Sequence, residues 1–351
     1  LKIALDAVGG DFGLAPNIDG AVHAANAFGV EPILVGPAEK IAAELSARGV
    51  AGDRRFEIVE APDLVEMHEE PTAACRAKPR SSIMVCGDLV AGGKAAGLVS
   101  AGHSGATMAS TTLWNLKRIP GILRPAIAAP IPTSRGVTVL LDAGANVDCN
   151  PWHLVQFAAM GSILAKHLYG LENPTVGLLT IGEEEGKGNE LVKETFPLLK
   201  DSGLNFVGSV EGRDIPAGKT DVVVCDAFVG NVVIKTMEGT AAAIVGLLKS
   251  EILSSWRYKL AGMVLKGPLT RLKRRMSYDE YGGAPLLGVN GIVVICHGAS
   301  NSRAIAHALK AAKILAESGL ITALRESAAK IAADDKTASI DPVNDAPRRT
   351  T

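Results

Sequence analysis

Six times along this chain a short apolar run stops at a loop of Asp, His, Asn, Ser and Gly, and a helical pattern follows. Lys2–Asp6 leads into Ala-Val-Gly-Gly-Asp11 and a helix with Ile18, Val22, Ala25 and Phe28 on one face, stopped by Gly29. Leu98-Val99 leads through Ser100 and Gly102 to His103-Ser-Gly105, and the next helical pattern runs through Met108, Leu113 and Leu116. Val137–Leu141 ends in Asp142-Ala-Gly-Ala-Asn146 before a helix opened by Pro151, and Thr175–Ile181 ends in a loop from Gly182 to Asn189. Asp221–Cys225 runs into Asp226–Asn231, and Ile292–Cys296 into His297-Gly-Ala-Ser-Asn301. Alternation of this kind predicts an α/β fold, a mostly parallel sheet with helices on both faces.

In open sheets of this class, ligands bind beyond the carboxyl ends of the strands. The candidate site residues are therefore Asp6, Gly9, Gly10, Asp11, Ser100, Gly102, His103, Ser104, Gly105, Asp142, Asn146, Glu183, Asn189, Asp226, Asn231, His297, Ser300 and Asn301. Lys235, one helical turn after Asn231, reaches either this edge or solvent. Any one of these loops is ordinary turn chemistry; six at one edge argue for a cleft. The stretch from Gly97 to Thr107 joins a strand, a tight turn and a helix N-terminus, whose unpaired N–H groups and positive dipole end suit an anion such as phosphate. Plain helix capping is the rival role for Ser104 and Ser300. No GxGxxG follows a strand, and no Walker A, GxSxG or HExxH sequence occurs, so no cofactor and no metal is expected.

Composition narrows the classes. A net charge of −1 gives no global field for nucleic acid. Five cysteines without a CxxC pair read as free thiols of a reducing compartment. The sequence enters its first strand directly, and no apolar run of about 18 residues is seen, which predicts a cytosolic protein without a spanning helix. The polar tail, 334–351, is expected to be disordered.

Several of these loops carry a resemblance. Ile3-Ala-Leu-Asp-Ala-Val-Gly-Gly-Asp11, Val99-Ser-Ala-Gly-His-Ser-Gly-Ala106, Leu140-Leu-Asp-Ala-Gly-Ala-Asn146, Gly177–Glu190, Asp221–Asn231 and Tyr281-Gly-Gly-Ala284 together are similar to the PlsX family of bacterial phosphate acyltransferases, over about residues 1–315. His103-Ser104 stands where that family usually has Asn-Thr, and Val8 where Met is usual. The resemblance implies a fold like phosphotransacetylase and the isocitrate/isopropylmalate dehydrogenases. Two interwoven subdomains would form a single catalytic unit over residues 1–333, with a cleft between them, in a homodimer. It implies conversion of acyl-[acyl-carrier-protein] and inorganic phosphate to acyl phosphate and free carrier, feeding phospholipid synthesis through a downstream membrane glycerol-3-phosphate acyltransferase.

Phosphate is already a nucleophile, so such a site must hold the dianion, stabilise an oxyanion and help a thiol leave. On that reading the 102–106 and 297–301 loops take phosphate, with Ser104, Ser300 and Asn301 as donors. Asp6, Asp11 and Asp226 orient donors or act as general acid/base, and His103 and His297 are the candidate acids for sulfur. Transfer to coenzyme A, as in phosphotransacetylases, is one alternative, and a non-catalytic membrane scaffold is another.

From Lys249 to Arg275 there are eight Lys/Arg and one acid, Glu251. Leu248, Ile252, Trp256, Leu260 and Val264 recur every four residues, and Gly267-Pro268 is expected to break the helix before Leu269–Met276 resumes. A basic amphipathic hairpin over 244–276 predicts contact with an anionic membrane surface through Trp256, Leu260, Met263, Val264 and Leu265. A dimer helix, or a docking patch for the acidic carrier protein, is the rival. The expected location is the cytoplasm, peripherally attached to the inner face of the cell membrane.

Overall fold

Strand β1 (Lys2–Asp6) is apolar on both faces and lies inside a seven-stranded sheet. Its companions are β2 (Glu31–Gly36), β3 (Glu57–Glu60), β4 (Gly97–Ser100), β5 (Ala126–Ile127), β11 (Ala284–Leu287) and β12 (Ile292–Ile295), in the order β3-β2-β1-β4-β12-β11-β5. A second sheet holds β6 (Ala129–Thr133), β7 (Gly136–Leu141), β8 (Val176–Leu179), β9 (Phe206–Val210) and β10 (Val222–Val224), in the order β6-β7-β10-β8-β9. These elements come from a computed structural model that describes residues 1–276 and 280–334. The expected polar tail therefore lies outside the described residues from 335 onward.

Most pairings are parallel, as helical crossovers require; β11 is antiparallel to both its neighbours, and β6 to β7. The apolar run 126–131 is divided at Ala128, whose N–H donates to Pro285 O at 2.9 Å. Residues before it join the first sheet and residues after it the second. One hydrophobic core cluster runs through both sheets, from Ile3 and Leu5 to Leu141, Val176 and Val222, with the fully buried Phe157 of helix Pro151–Tyr169 among them. Helices Leu14–Phe28 and Ser302–Glu317 meet closely enough that a Cβ on Gly20 would lie 2.6 Å from Ile305.

The basic segment differs from its expected layout. Helix Ala227–Leu253 is followed by helix Trp256–Met276, which continues through Pro268. The turn falls at Ser254-Ser255, where Ser254 Oγ donates to Glu251 O and Ser255 Oγ accepts from Arg257 N. Small hydroxyl residues that bond their own backbone end and start helices, and here they set the turn. The first helix, 27 residues and about 40 Å long, is long and apolar enough to cross a bilayer by length and composition. Lys235 and Glu238 interrupt its apolar run but pair with each other at 2.9 Å. The expectation that no such segment exists is corrected on this helix, whose most apolar stretch is unburied.

Candidate active site

At the end of β1, Asp6 is 2% exposed. Its carboxylate accepts from Gly9 N at 3.2 Å and from Ser100 Oγ at 2.8 Å, and Ser100 Oγ accepts from Gly102 N at 3.0 Å. The loops after β1 and β4 are thereby fastened together. They pack backbone to backbone: a Cβ on Gly9 would sit 2.6 Å from Gly102 N, so only glycine fits. Burial pushes the Asp6 carboxyl above its ordinary range, while the hydrogen bonds from Ser100 and Gly9 pull the other way. The β12 loop joins the group through Asp11 N, which donates to Gly298 O at 2.8 Å. Asp11 itself is exposed, and Gly10 takes a positive φ of 100° to make the approach.

Both histidines of this edge make the same turn. His103 Nδ1 accepts from Gly105 N at 3.1 Å, and His297 Nδ1 accepts from Ala299 N at 3.1 Å. A neutral ring held this way carries its proton on Nε2. Ser104 begins the helix and is exposed, while Asn301 caps the helix Ser302–Glu317, its Oδ1 accepting from Arg303 N and Ala304 N at 3.0 Å. Beside that cap Ser300 is 4% exposed, and its hydroxyl has no hydrogen-bond partner. After Ala109 the helix that Ser104 begins widens into a π-turn over Ser110–Asn115, departing from the regular pattern read through Leu113.

The five-stranded sheet supplies a second group. Asp142 is fully buried and accepts from Gly144 N, Ala145 N, Asn146 N, Asn146 Nδ2 and Ile127 N, at 2.7–3.1 Å. Burial raises its carboxyl above the ordinary range, and the hydrogen bonds from Ala145, Gly144 and Asn146 oppose the rise. Asn146 Nδ2 also donates to Pro125 O at 2.7 Å, and Asn146 O accepts from Ala227 N at 2.9 Å. Asp226 caps the long helix, accepting from Val229 N at 2.9 Å. Asn189 caps the helix Glu190–Asp201 in the same way through Val192 N at 3.0 Å.

Two of the expected substrate-binding side chains are engaged elsewhere: Glu183 pairs with Lys219 at 2.6 Å, and Lys235 with Glu238 on its own helix. Asn231 is exposed beside them. Sequence reading missed Asn17, which is 1% exposed and donates Nδ2 to Ala7 O, Gly9 O and Gly13 O at 2.8–3.1 Å. Its signal was a polar amide one residue from the apolar Ile18, on the buried side of its helix.

The two groups lie at one edge. β5 is antiparallel to β11 and β11 to β12, so β5 points the same way as β1, β4 and β12. Ile127, its last residue, is the one that Asp142 holds. The carboxyl ends of both sheets therefore meet there, two strand spacings or about 10 Å from β12. All five cysteines are free thiols; burial pushes Cys149, beside the second group, up to about 12. Among the described residues no group of three or more His, Cys, Asp or Glu is arranged to hold a metal ion.

Two mostly parallel sheets sharing a core, their strand carboxyl ends meeting at one edge, give an α/β fold of the kind seen in phosphotransacetylases. Solved structures show the same architecture. The phosphotransacetylase EutD from Staphylococcus aureus matches with a TM-score of 0.57 at 17% identity, covering 90% of this chain and 94% of that one. A branched-chain phosphotransacylase from Enterococcus faecalis matches with a TM-score of 0.56 at 15% identity, covering 91% and 99%. Sequence comparison is more specific. The family model described as Fatty acid synthesis protein matches residues 1–323. Phosphate acyltransferases from Desulforamulus reducens and Elusimicrobium minutum are 52% and 47% identical, over 93% and 94% of this chain and 97% and 96% of theirs. The chain belongs to the phosphate acyltransferase family, and is a transferase of acyl groups.

Proposed function

We propose that the chain converts acyl-[acyl-carrier-protein] and inorganic phosphate to acyl phosphate and free carrier at the edge where the two sheets meet. A phosphate oxygen attacks the thioester carbonyl carbon, a tetrahedral oxyanion forms, the C–S bond breaks, and the departing sulfur takes a proton. The site's residues suit these tasks. Ser300 and the backbone of the 102–106 and 297–301 loops hold phosphate, and Ser104 adds a hydroxyl. His103 presents Nε2–H as a neutral donor to the oxyanion or to sulfur, and His297 is the second candidate acid. Asp6 and Asp142 are buried and their carboxylates are taken up by loop N–H groups and hydroxyls, so in this reading they shape the loops. Asp11 and Asp226 remain the carboxylates with access to the reacting groups.

The observation that carries this reading is Ser300. A buried hydroxyl without a partner costs about 1–3 kcal/mol, and this one lies at the N-terminus of a 16-residue helix where an anion is favoured. Phosphate binding satisfies it. Ser300→Ala should raise the phosphate KM about tenfold or more, the loss of one hydrogen bond to a charged group, and leave the KM for acyl carrier within about twofold. An unchanged phosphate KM removes this loop from the site.

The helix pair 227–276 supports two partners. Ile244, Leu247, Leu248, Leu260 and Val264 are all at least 44% exposed, an apolar stripe suited to the same stripe of a second copy. At the turn, Leu253 and Trp256 stand 52% and 68% exposed with Arg257 and Lys259 beside them. That end suits an anionic membrane surface on the cytoplasmic side, where the acyl phosphate meets the membrane acyltransferase that consumes it.

A further inference from the structure

Three neighbouring strand ends of the five-stranded sheet each carry a large apolar side chain in the open. Leu141, Val224 and Leu178 lie level across β7, β10 and β8. Val147 follows on the loop after β7, Phe228 in the first turn of the helix after β10 and Ile181 on the loop after β8, at 61%, 64% and 82% exposure. The outer two of these three strand ends lie two strand spacings, about 10 Å, apart. The bond between Ala227 N and Asn146 O fixes the Phe228 turn directly against the Val147 loop.

The strip is continuous with the polar site. Val147 is the next residue after Asn146, and Phe228 is two beyond Asp226. Along the helix, the Lys235–Glu238 ion pair lies between Phe228 and the apolar stripe that begins at Ile244. The reaction brings a carbonyl to these polar loops with a hydrocarbon chain attached to it. That chain has nothing to offer hydrogen-bond donors and gains about 0.8 kcal/mol for each methylene removed from water.

We propose that Val147, Ile181 and Phe228 are the landing strip for the acyl chain, and that they set which chain lengths react. This rests on the acyl-transfer reading above. Phosphate enters from the seven-stranded side, through the loops of β4 and β12, and the chain lies along the end of the five-stranded sheet. The two substrates then approach the carbonyl carbon from opposite walls.

The test compares octanoyl-, lauroyl- and palmitoyl-carrier protein with wild type, Phe228→Ser, Ile181→Ser and the conservative Phe228→Leu. For wild type, kcat/KM should climb with chain length by as much as about fourfold per added methylene that is buried. Each serine variant should flatten that climb, losing about tenfold or more with palmitoyl and less than about threefold with octanoyl, at unchanged phosphate KM. Phe228→Leu should stay near wild type. Equal losses at every chain length overturn the strip, since they mark a structural role. Equal losses with a dimer turned monomer in sedimentation velocity overturn it too, and make the surface an interface between copies. A wild-type protein inactive with every chain length overturns the acyl-transfer reading itself.

Discussion

Ser100 donates its hydroxyl to Asp6 across 2.8 Å, tying two strand ends that lie 94 residues apart in the chain. The same oxygen accepts the Gly102 N–H, so one serine transmits the position of a buried carboxylate to the first residues of the anion loop. Asp6 is therefore placed to position that loop. Its pairing is with neutral donors among the described residues that touch it, which leaves burial as the largest influence on its titration.

The pH consequence has a definite sign. Asp6 is raised in the folded protein above 3.8, so the native state holds a proton that the unfolded chain has released over the interval between them. Stability that Asp6 contributes is fully present below its unfolded pKa and is lost as pH rises through the raised value. Asp6→Asn removes this dependence. Urea midpoints measured from about pH 4 to about pH 8 should show wild type losing stability relative to the variant as pH rises, then levelling. A difference that is flat, or that runs the other way, contradicts the assignment.

His103 is the residue by which this chain departs from the motif it resembles. Its Nδ1 accepts the Gly105 N–H, and an asparagine Oδ1 accepts from the same N–H in an N-cap. His103→Asn should keep most activity. A fall in kcat of about 100-fold or more in a folded variant would make His103 the general acid.

The strand ends were readable because apolar runs and Asp/His/Asn-Gly loops alternate so regularly. All six such loops follow strands, within one or two residues of the expected boundaries. What the sequence concealed depended on tertiary placement. Ala126–Ile131 reads as one run because its residues are uniformly apolar, and only the bond from Ala128 to Pro285 shows where it changes sheets. β11 was missed because four residues among glycines carry no period of their own. Asp6 and Asp142 look like the exposed aspartates of any turn. Their burial follows from neighbouring loops closing over them, which local sequence does not encode. Pro268 looked like a helix break, yet the helix Trp256–Met276 continues through it.

The relocated turn changes what a membrane test should touch. Leu253→Glu with Trp256→Glu places two charges at the Ser254-Ser255 end and should abolish sedimentation with anionic vesicles. Acyl phosphate formation from soluble carrier should stay within about twofold. Wild-type binding should weaken with salt, because charges near a surface are screened over about 8 Å at physiological strength. A double variant that still sediments with vesicles contradicts the membrane contact. The pair Leu260→Glu with Val264→Glu, on the stripe, should instead yield monomers.

The most direct measurement supplies purified protein with phosphate and either palmitoyl-carrier protein or palmitoyl-coenzyme A, and follows free thiol and acyl phosphate together. The expected result is equimolar thiol and acyl phosphate from the carrier substrate, dependent on phosphate, with at least about tenfold lower kcat/KM for coenzyme A. Equal or better use of coenzyme A, or thiol release without acyl phosphate, would contradict it.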